Sequence, residues 1–155
     1  MNGKRPPVIV MADDDEDDVI LVRDALHRCH ANHSFHSVLD GVDLLDYLHN
    51  RGGFADPNKA PRPDLILLDL NMPRKDGREA LKEIKEDPRL RCIPVVILTT
   101  SRAEADIEQS YRCGANSFIA KPVTFESMCE VIRKFSEYWF EVVKLPCTCP
   151  ADVHI

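Results

Sequence analysis

The residues with the greatest capacity for chemistry lie near the start of the chain, in the stretch VIVMADDDEDDV. Six consecutive acids, Asp13 to Asp18, directly follow a short apolar run there. Blocks of five or six like charges usually repel one another and belong to disordered tails. Because apolar, periodic sequence flanks this block on both sides, we expect it to lie within folded structure.

Five short apolar blocks are predicted to form strands, at residues 7–12, 35–40, 64–70, 93–100 and 116–122. Three of them are nearly continuous in Val, Ile and Leu, which is typical of parallel strands covered on both faces. Amphipathic segments between the strands predict helices, the fourth over about 102–113. A long fifth helix is predicted from the apolar spacing of Met128, Ile132, Phe135, Trp139 and Val142. The alternation indicates an α/β fold with right-handed βαβ units and a doubly wound parallel sheet.

Chemically useful side chains follow the predicted strands where the strands end. In an open α/β sheet, ligands bind outside the carboxyl ends of the strands. Carboxylates, hydroxyls and one ammonium are expected to converge at that edge: Asp13, Asp14, Asp69, Thr99, Thr100 and Lys121. Clustered carboxylates are costly unless a cation joins them, and Mg²⁺ suits a few carboxylate ligands with some waters retained. The sequence therefore predicts a Mg²⁺ site, with the acids from Asp15 to Asp18 in the first turn of the next helix, near its dipole.

A calcium-binding loop is the rival explanation of the acidic block. Asp13, Asp15 and Asp17 alternate as in an EF-hand. However, Asp18 occupies the sixth position, where the EF-hand needs a turn-making glycine, and the loop follows a strand rather than a helix. We therefore reject a calcium loop.

Composition favours a single globular domain. A chain of 155 residues with 44% hydrophobic and 30% charged residues suffices for one core. The net charge of −6 and the lack of a basic stripe argue against nucleic acid as a partner. No apolar window approaches the roughly 18 residues of a membrane span, and no signal segment is evident, so we expect a cytoplasmic protein without membrane contact.

Two further clusters of potential metal ligands occur in the sequence. Cys147 and Cys149 form a CxC motif near His154, which could hold a soft metal. A loose tail is the favoured alternative, because no fourth ligand is apparent. In HRCHANHSFH, residues 27–36, histidines stand three apart, but polar residues predict that the helix ends inside the run and scatters the imidazoles.

Four motifs stand in the order typical of two-component response-regulator receiver domains, which the chain resembles over residues 8 to about 140. They are the pair Asp13–Asp14, LILLDLNMPRKDG around Asp69, VVILTTS at Thr99 and FIAKP at Lys121. The resemblance implies a flavodoxin-like sheet with strand order 2-1-3-4-5. It also implies one receiver domain over residues 1–145 and a tail over 146–155.

The resemblance further implies a role for each residue of the acidic group. Asp69 would accept a phosphoryl group from a phosphohistidine of a sensor histidine kinase. Asp13, Asp14 and Asp69, together with the backbone carbonyl of Asn71, would bind Mg²⁺. The protein would then catalyse only its own phosphorylation and dephosphorylation, and would not be an enzyme acting on other substrates.

Residues of the last two strands would carry the response. By resemblance, Thr99 and Lys121 contact the phosphoryl oxygens, and the Lys121–Pro122 peptide bond is expected to be cis. Thr99 and Phe118 would form the switch. Because Phe118 lacks the hydroxyl of the tyrosine often found at this position, it is either a weaker switch or simply part of the core.

The partners are also implied by resemblance. The loop at 50–63, the segment RPDLILLDLNMPRKDGREAL and the aromatic end of helix 5 followed by LP resemble single-domain regulators paired with bacterial phytochromes. Such regulators commonly form homodimers through helix 4, strand 5, helix 5 and the C-terminal extension. No DNA-binding or catalytic domain follows, so output is expected through protein contacts or through onward phosphotransfer. Tyr138 and Phe140 suggest a partner surface, and partial burial under the tail is the alternative.

Two other functions compete with that of a signalling domain. A haloacid-dehalogenase-type phosphohydrolase uses a DxD nucleophile after strand 1, which Asp13 to Asp15 superficially permit. The short chain, the missing cap region and the isolated Asp69 after strand 3 argue against it. A passive adaptor without phosphorylation is disfavoured because every reactive position is filled.

Overall fold

The computed structural model describes residues 5–30 and 32–146, and in it five parallel strands form one sheet with the order β2-β1-β3-β4-β5. The strands are β1 (Val8–Ala12), β2 (Ser34–Val38), β3 (Leu65–Leu68), β4 (Val95–Thr99) and β5 (Ser117–Ala120). The predicted fold class and strand order are confirmed. Each strand lies within a few residues of its predicted bounds.

Five α-helices connect and follow the strands: α1 (Glu16–Cys29), α2 (Gly41–Leu48), α3 (Gly77–Glu86), α4 (Glu104–Arg112) and α5 (Phe125–Ser136). Four of them begin at a side chain that accepts backbone N–H groups of the first turn: Asp15, Asp40, Asp76 and Thr124. Such caps satisfy donors that the helix itself leaves without a partner. Because the cap of α1 is Asp15, the acidic block divides between the strand end and the first turn of α1.

The sheet is buried on both faces. Alternate residues of the central strands pack with α2 and α3 on one face, and with α1 and α5 on the other. Helix α4 contributes little to either core, since Ser110 is its only buried residue. The nearly continuous apolar sequence of β3 is explained by this arrangement, because all four of its residues are fully buried.

The loop at 50–63 is fixed against α2. It contains a short 3₁₀ helix, Gly52–Phe54. The Asn50 side chain donates to the carbonyl oxygens of Phe54 and Ala60 at 3.0 and 3.1 Å, and the Tyr47 hydroxyl donates to a loop carbonyl at 2.8 Å. These bonds explain how a connection of unusual length remains ordered.

The end of α5 differs in one respect from its predicted apolar face. The helix continues as a π-helical turn, Glu137–Val142. Trp139 is buried, but Val142 is 69% exposed. The wider π-helical turn rotates the positions that follow away from the 3.6-residue period, so the prediction that Val142 joins the apolar face was wrong.

The two clusters of potential ligands have different outcomes. Helix α1 ends at Cys29, inside the histidine run, as predicted. The imidazoles are not scattered, however, since the ring centroids of His27 and His33 lie 6.3 Å apart. His30 and His33 lie against Phe140, and their ring centroids are 4.9 and 6.0 Å, respectively, from that of Phe140. Cys147, Cys149 and the rest of the predicted tail after Pro146 lie outside the described residues. Within the described part of the chain, no helix is long and apolar enough to cross a membrane.

Candidate functional site

Two neighbouring strands bring three carboxylates together at the carboxyl edge of the sheet. Asp13 and Asp14 follow β1, and Asp69 follows β3. The Asp69 N–H donates to the carbonyl of Ala12 at 3.0 Å, which extends the strand pairing up to the site. One carboxylate oxygen from each of the three aspartates lies within 4.8 Å of the others. Asp13 and Asp69 are buried, whereas Asp14 is exposed.

The ammonium of Lys121 lies inside this carboxylate group. Its Nζ donates to Asp13 Oδ2 and to Asp18 Oδ2, both at 2.7 Å, and lies 3.6 Å from Asp69 Oδ2. Only 5% of the lysine side chain is exposed. Burial alone would lower the pKa of Lys121, but the hydrogen bonds to Asp13 and Asp18 outweigh burial and raise it. The lysine therefore stays charged over the whole physiological range.

The buried carboxylate of Asp13 is held at an energetic cost. Burial raises the pKa of Asp13 to about 6, although the hydrogen bond from Lys121 opposes this rise. The neighbouring charge of Asp69 raises it further. Three carboxylate oxygens with excess negative charge match the ligand preference of a hard divalent cation. Such a cation would add the positive charge that one lysine cannot supply to three carboxylates.

The loop after β3 turns sharply onto α3. The Asn71 N–H donates to Asp69 Oδ1 at 3.3 Å, and the Gly77 N–H donates to the carbonyl of Leu70 at 2.9 Å. A Cβ at Gly77 would overlap the carbonyl oxygen of Asp69, so only glycine fits there. The loop thus holds Asp69 in place. That the Asn71 carbonyl is a metal ligand stays a prediction.

The predicted switch residues lie on adjacent strands. Thr99 is fully buried at the end of β4, and its Oγ1 accepts the Ser101 N–H at 3.4 Å. Thr100 is exposed. Phe118 is partly buried against the core on the α2 and α3 face, and its N–H donates to the hydroxyl of Tyr111 at 3.1 Å. A change of the Phe118 rotamer on activation stays a prediction.

The Lys121–Pro122 bond is trans, because the described residues contain no cis peptide bond. The prediction of a cis bond was therefore wrong. The trans form of an X–Pro bond is the more stable isomer by about 0.5–1 kcal/mol. In this geometry the Lys121 carbonyl accepts a hydrogen bond from Arg102 Nη2 at 3.1 Å.

Two parts of the site were missed by sequence reasoning. The first is Asp18, which the sequence pattern places only in the first helical turn. The second is a bidentate ion pair between Arg78 of α3 and Asp106 of α4, with both N···O distances at 2.8 Å. The Ser101 hydroxyl donates to the same carboxylate at 2.6 Å. Arg78 Nη1 also lies 3.4 Å from the Leu70 carbonyl, so the pair connects the loop after Asp69 to α4.

Comparisons with known proteins identify the family. The family model of the response regulator receiver domain matches residues 9–133. With the acidic edge and the 2-1-3-4-5 sheet, this match shows that the chain belongs to the response-regulator receiver domains. It is 38% identical over 141 residues to the response regulator Rcp1 of Synechocystis sp., covering 91% of this chain and 94% of that one. It is also 35% identical to a probable methanogenesis regulatory protein, FilR2, of Methanothrix harundinacea, covering 90% and 87%.

Solved structures agree with the sequence comparisons. The phosphorylated cyanobacterial phytochrome response regulator RcpA superposes with a TM-score of 0.86 at 40% identity, covering 91% of this chain and 99% of that one. The Mn²⁺-bound form of Rcp1 gives a TM-score of 0.86 at 38% identity, covering 92% and 100%. The chain is therefore a homologue of single-domain phytochrome response regulators. The Mn²⁺-bound form of Rcp1 supports a divalent cation as a ligand of this chain, while the assignment of Asp13, Asp14 and Asp69 as its ligands stays a prediction.

We predict that divalent-cation binding weakens as the pH falls through about 6, the value to which burial raises the pKa of Asp13. A protonated carboxyl group is a poor ligand, so affinity should fall roughly tenfold for each pH unit below that pKa. Isothermal titration with Mn²⁺ at about pH 5 and about pH 8 measures the difference. Equal affinities at the two pH values would contradict this electrostatic description.

The ion pair between α3 and α4 makes a separate prediction about stability. Hydrogen bonds from Arg78 and then Ser101 lower the pKa of Asp106 to about 2. Asp106→Asn should therefore cost roughly 1–2 kcal/mol of unfolding free energy at neutral pH. Because the folded-state pKa is lowered, the carboxylate's contribution is present above its ordinary value of 3.8 and is lost as the pH falls towards 2.

Urea denaturation of Asp106→Asn, of a control variant and of the wild type measures this loss of unfolding free energy. The matched control is Glu108→Gln, on the same helix, whose ion pair with Arg112 is exposed and 3.8 Å long. Exposed pairs contribute little, so the control should be close to the wild type. Equal losses in the two variants would show that the Arg78 pair does not stabilise the α3–α4 contact.

Proposed function

We propose that the protein is a phosphorelay response regulator in which Asp69 accepts a phosphoryl group from a sensor histidine kinase in the presence of Mg²⁺. The observation that carries the proposal is the position of Asp69, buried and 3.6 Å from the Lys121 ammonium. The same carboxylate belongs to the three-aspartate group that could hold a cation. The nucleophile, a fixed positive charge and the carboxylates that could hold a cation thus lie next to one another.

The reaction follows from these positions. A carboxylate oxygen of Asp69 attacks phosphorus as the bond between phosphorus and the kinase histidine breaks. Asp69 becomes an acyl phosphate, and the imidazole leaves with the bonding electron pair and takes up a proton. A bound Mg²⁺ ion supplies positive charge for the transferring group, and Lys121 supplies the rest from within the protein. Hydrolysis of the acyl phosphate at the same site would be the protein's only other reaction.

The kinase would contact the groove between α1 and α5. Exposed apolar side chains line or flank this groove beside the acidic edge, including Ile20 at 46% and Phe125 at 58% exposure. Asp17 also lines it, close in the chain to the acceptor edge. Clustered exposed apolar residues mark protein contact sites. The relatives named as phytochrome regulators support a bacterial phytochrome as the kinase.

We further propose that a homodimer forms through α4, β5, α5 and the C-terminal extension. A groove of about 470 Å³ lies between β5 and the end of α5, lined by Ile119, Phe135 and Tyr138 among others. Tyr138 is 54% exposed. Tyr111 of α4 is also exposed, and it bonds to the outer edge of β5. This face offers aromatic surface, which is common at the centres of protein interfaces.

Phosphorylation by acetyl phosphate with Mg²⁺ tests the central step. Intact-protein mass spectrometry should show the gain of one phosphoryl group in the wild type, and Asp69→Asn should abolish it because the nucleophile is lost. Asp64→Asn is the matched control, since Asp64 is buried just before the other end of β3. Labelling that persists in Asp69→Asn, or no labelling of the folded wild type, would overturn the proposal.

A reciprocal pair of surface variants tests the two contact faces. Ile20→Glu should reduce phosphotransfer from a phosphorylated histidine kinase by roughly tenfold or more, and leave acetyl phosphate labelling and dimer mass unchanged. Tyr138→Glu should lower the mass measured by light scattering to that of a monomer and leave phosphotransfer intact. A wild-type protein that stays monomeric with and without phosphorylation would refute the dimer, and equal behaviour of both variants would refute the division of faces.

A further inference from the structure

The Lys121 ammonium has two close carboxylate partners, and they differ in what else they can bind. Asp13 Oδ2 and Asp18 Oδ2 are both 2.7 Å from Nζ. Asp13 also belongs to the group of three carboxylates that could hold a cation, whereas Asp18 does not. A cation bound to Asp13 would draw on the same negative charge that holds the lysine. Asp18 is then the partner whose attraction for Lys121 is unchanged.

The position of Asp18 is set by the start of α1. Asp15 caps the helix and accepts the N–H groups of Asp17 and Asp18. Asp18 is thereby fixed in the first turn of the helix, on the side that faces Lys121. Asp17 lies on a different side of the same turn and lines the groove between α1 and α5. Two acids with the same charge and the same relation to the helix dipole thus differ in one contact.

From this geometry we propose that Asp18 is a positioning residue for phosphoryl transfer. Its carboxylate anchors Nζ of Lys121, so that the ammonium remains directed at Asp69 when a cation and a phosphoryl group enter the site. This inference rests on the proposed function of Asp69. Electrostatic groups lower a reaction barrier only when they are fixed where charge develops, so loss of the anchor slows transfer without removing any reacting group.

The experiment compares Asp18→Ala with Asp17→Ala, each alone and in a Lys121→Ala background. With acetyl phosphate and saturating Mg²⁺, Asp18→Ala should lower the labelling rate about tenfold, because a catalytic group is misplaced rather than lost. Asp17→Ala should stay within about twofold of the wild type, because acetyl phosphate does not use the kinase groove that Asp17 lines and a charge in that turn contributes little by itself. In the Lys121→Ala background the Asp18 substitution should have no further effect, since the two changes remove one interaction.

A second measurement does not depend on activity. In metal-free protein labelled with ¹⁵N, the hydrogen-bonded ammonium of Lys121 should give a resolved, slowly exchanging signal. Asp18→Ala should broaden or shift that signal, and Asp17→Ala should leave it in place. If Asp18 had a merely structural role, Asp18→Ala would lower the stability of the fold without this selective change in the Lys121 signal.

The outcomes separate this inference from the proposed function. If the wild type is never labelled, phosphoryl transfer to Asp69 fails and the role of Asp18 fails with it. If the wild type is labelled but Asp18→Ala behaves as Asp17→Ala in rate, only the positioning role is refuted. An additive effect of Asp18→Ala in the Lys121→Ala background, or an unchanged Lys121 signal, would refute it as well.

Discussion

One buried ammonium facing several carboxylates is the interaction on which the rest of the structure depends. Lys121 is almost fully buried and pairs with Asp13 and Asp18 at 2.7 Å, with Asp69 at 3.6 Å. A single lysine cannot neutralise these carboxylates. Burial, with the neighbouring charge of Asp69 adding to it, raises the pKa of Asp13 to about 6. The site therefore favours any added positive charge, and this would be the physical basis of the proposed affinity for a divalent cation.

The fold places these charges together by the ends of three strands. Parallel pairing of β1 with β3 aligns Asp13 with Asp69, while β5 brings Lys121 to the same edge through its pairing with β4. Gly77 permits the close turn after Asp69, and the Arg78–Asp106 pair ties that turn to α4. The acidic edge is thus connected to α4 and β5, two elements of the face proposed to form the homodimer.

The sequence was sufficient to predict the sheet, its order and the residues at the strand ends, because apolar blocks and strand-end positions follow simple periodic rules. It could not distinguish Asp18 from Asp17, since the choice depends on where the Asp15 cap sets the phase of α1. The exposure of Val142 depends on a π-helical turn, which no local sequence pattern predicts. The trans bond before Pro122 was missed because the isomer depends on tertiary context.

The most direct test of the central claim is a crystal structure of the protein with Mg²⁺ and beryllium fluoride, a mimic of the phosphoryl group. The account predicts that the fluoride complex is attached to Asp69 and that Mg²⁺ is bound by Asp13 and Asp14. It also predicts that Lys121 Nζ lies within hydrogen-bonding distance of both a fluoride and Asp18. A complex attached elsewhere, or a Lys121 side chain turned out to solvent while Asp69 is occupied, would contradict it.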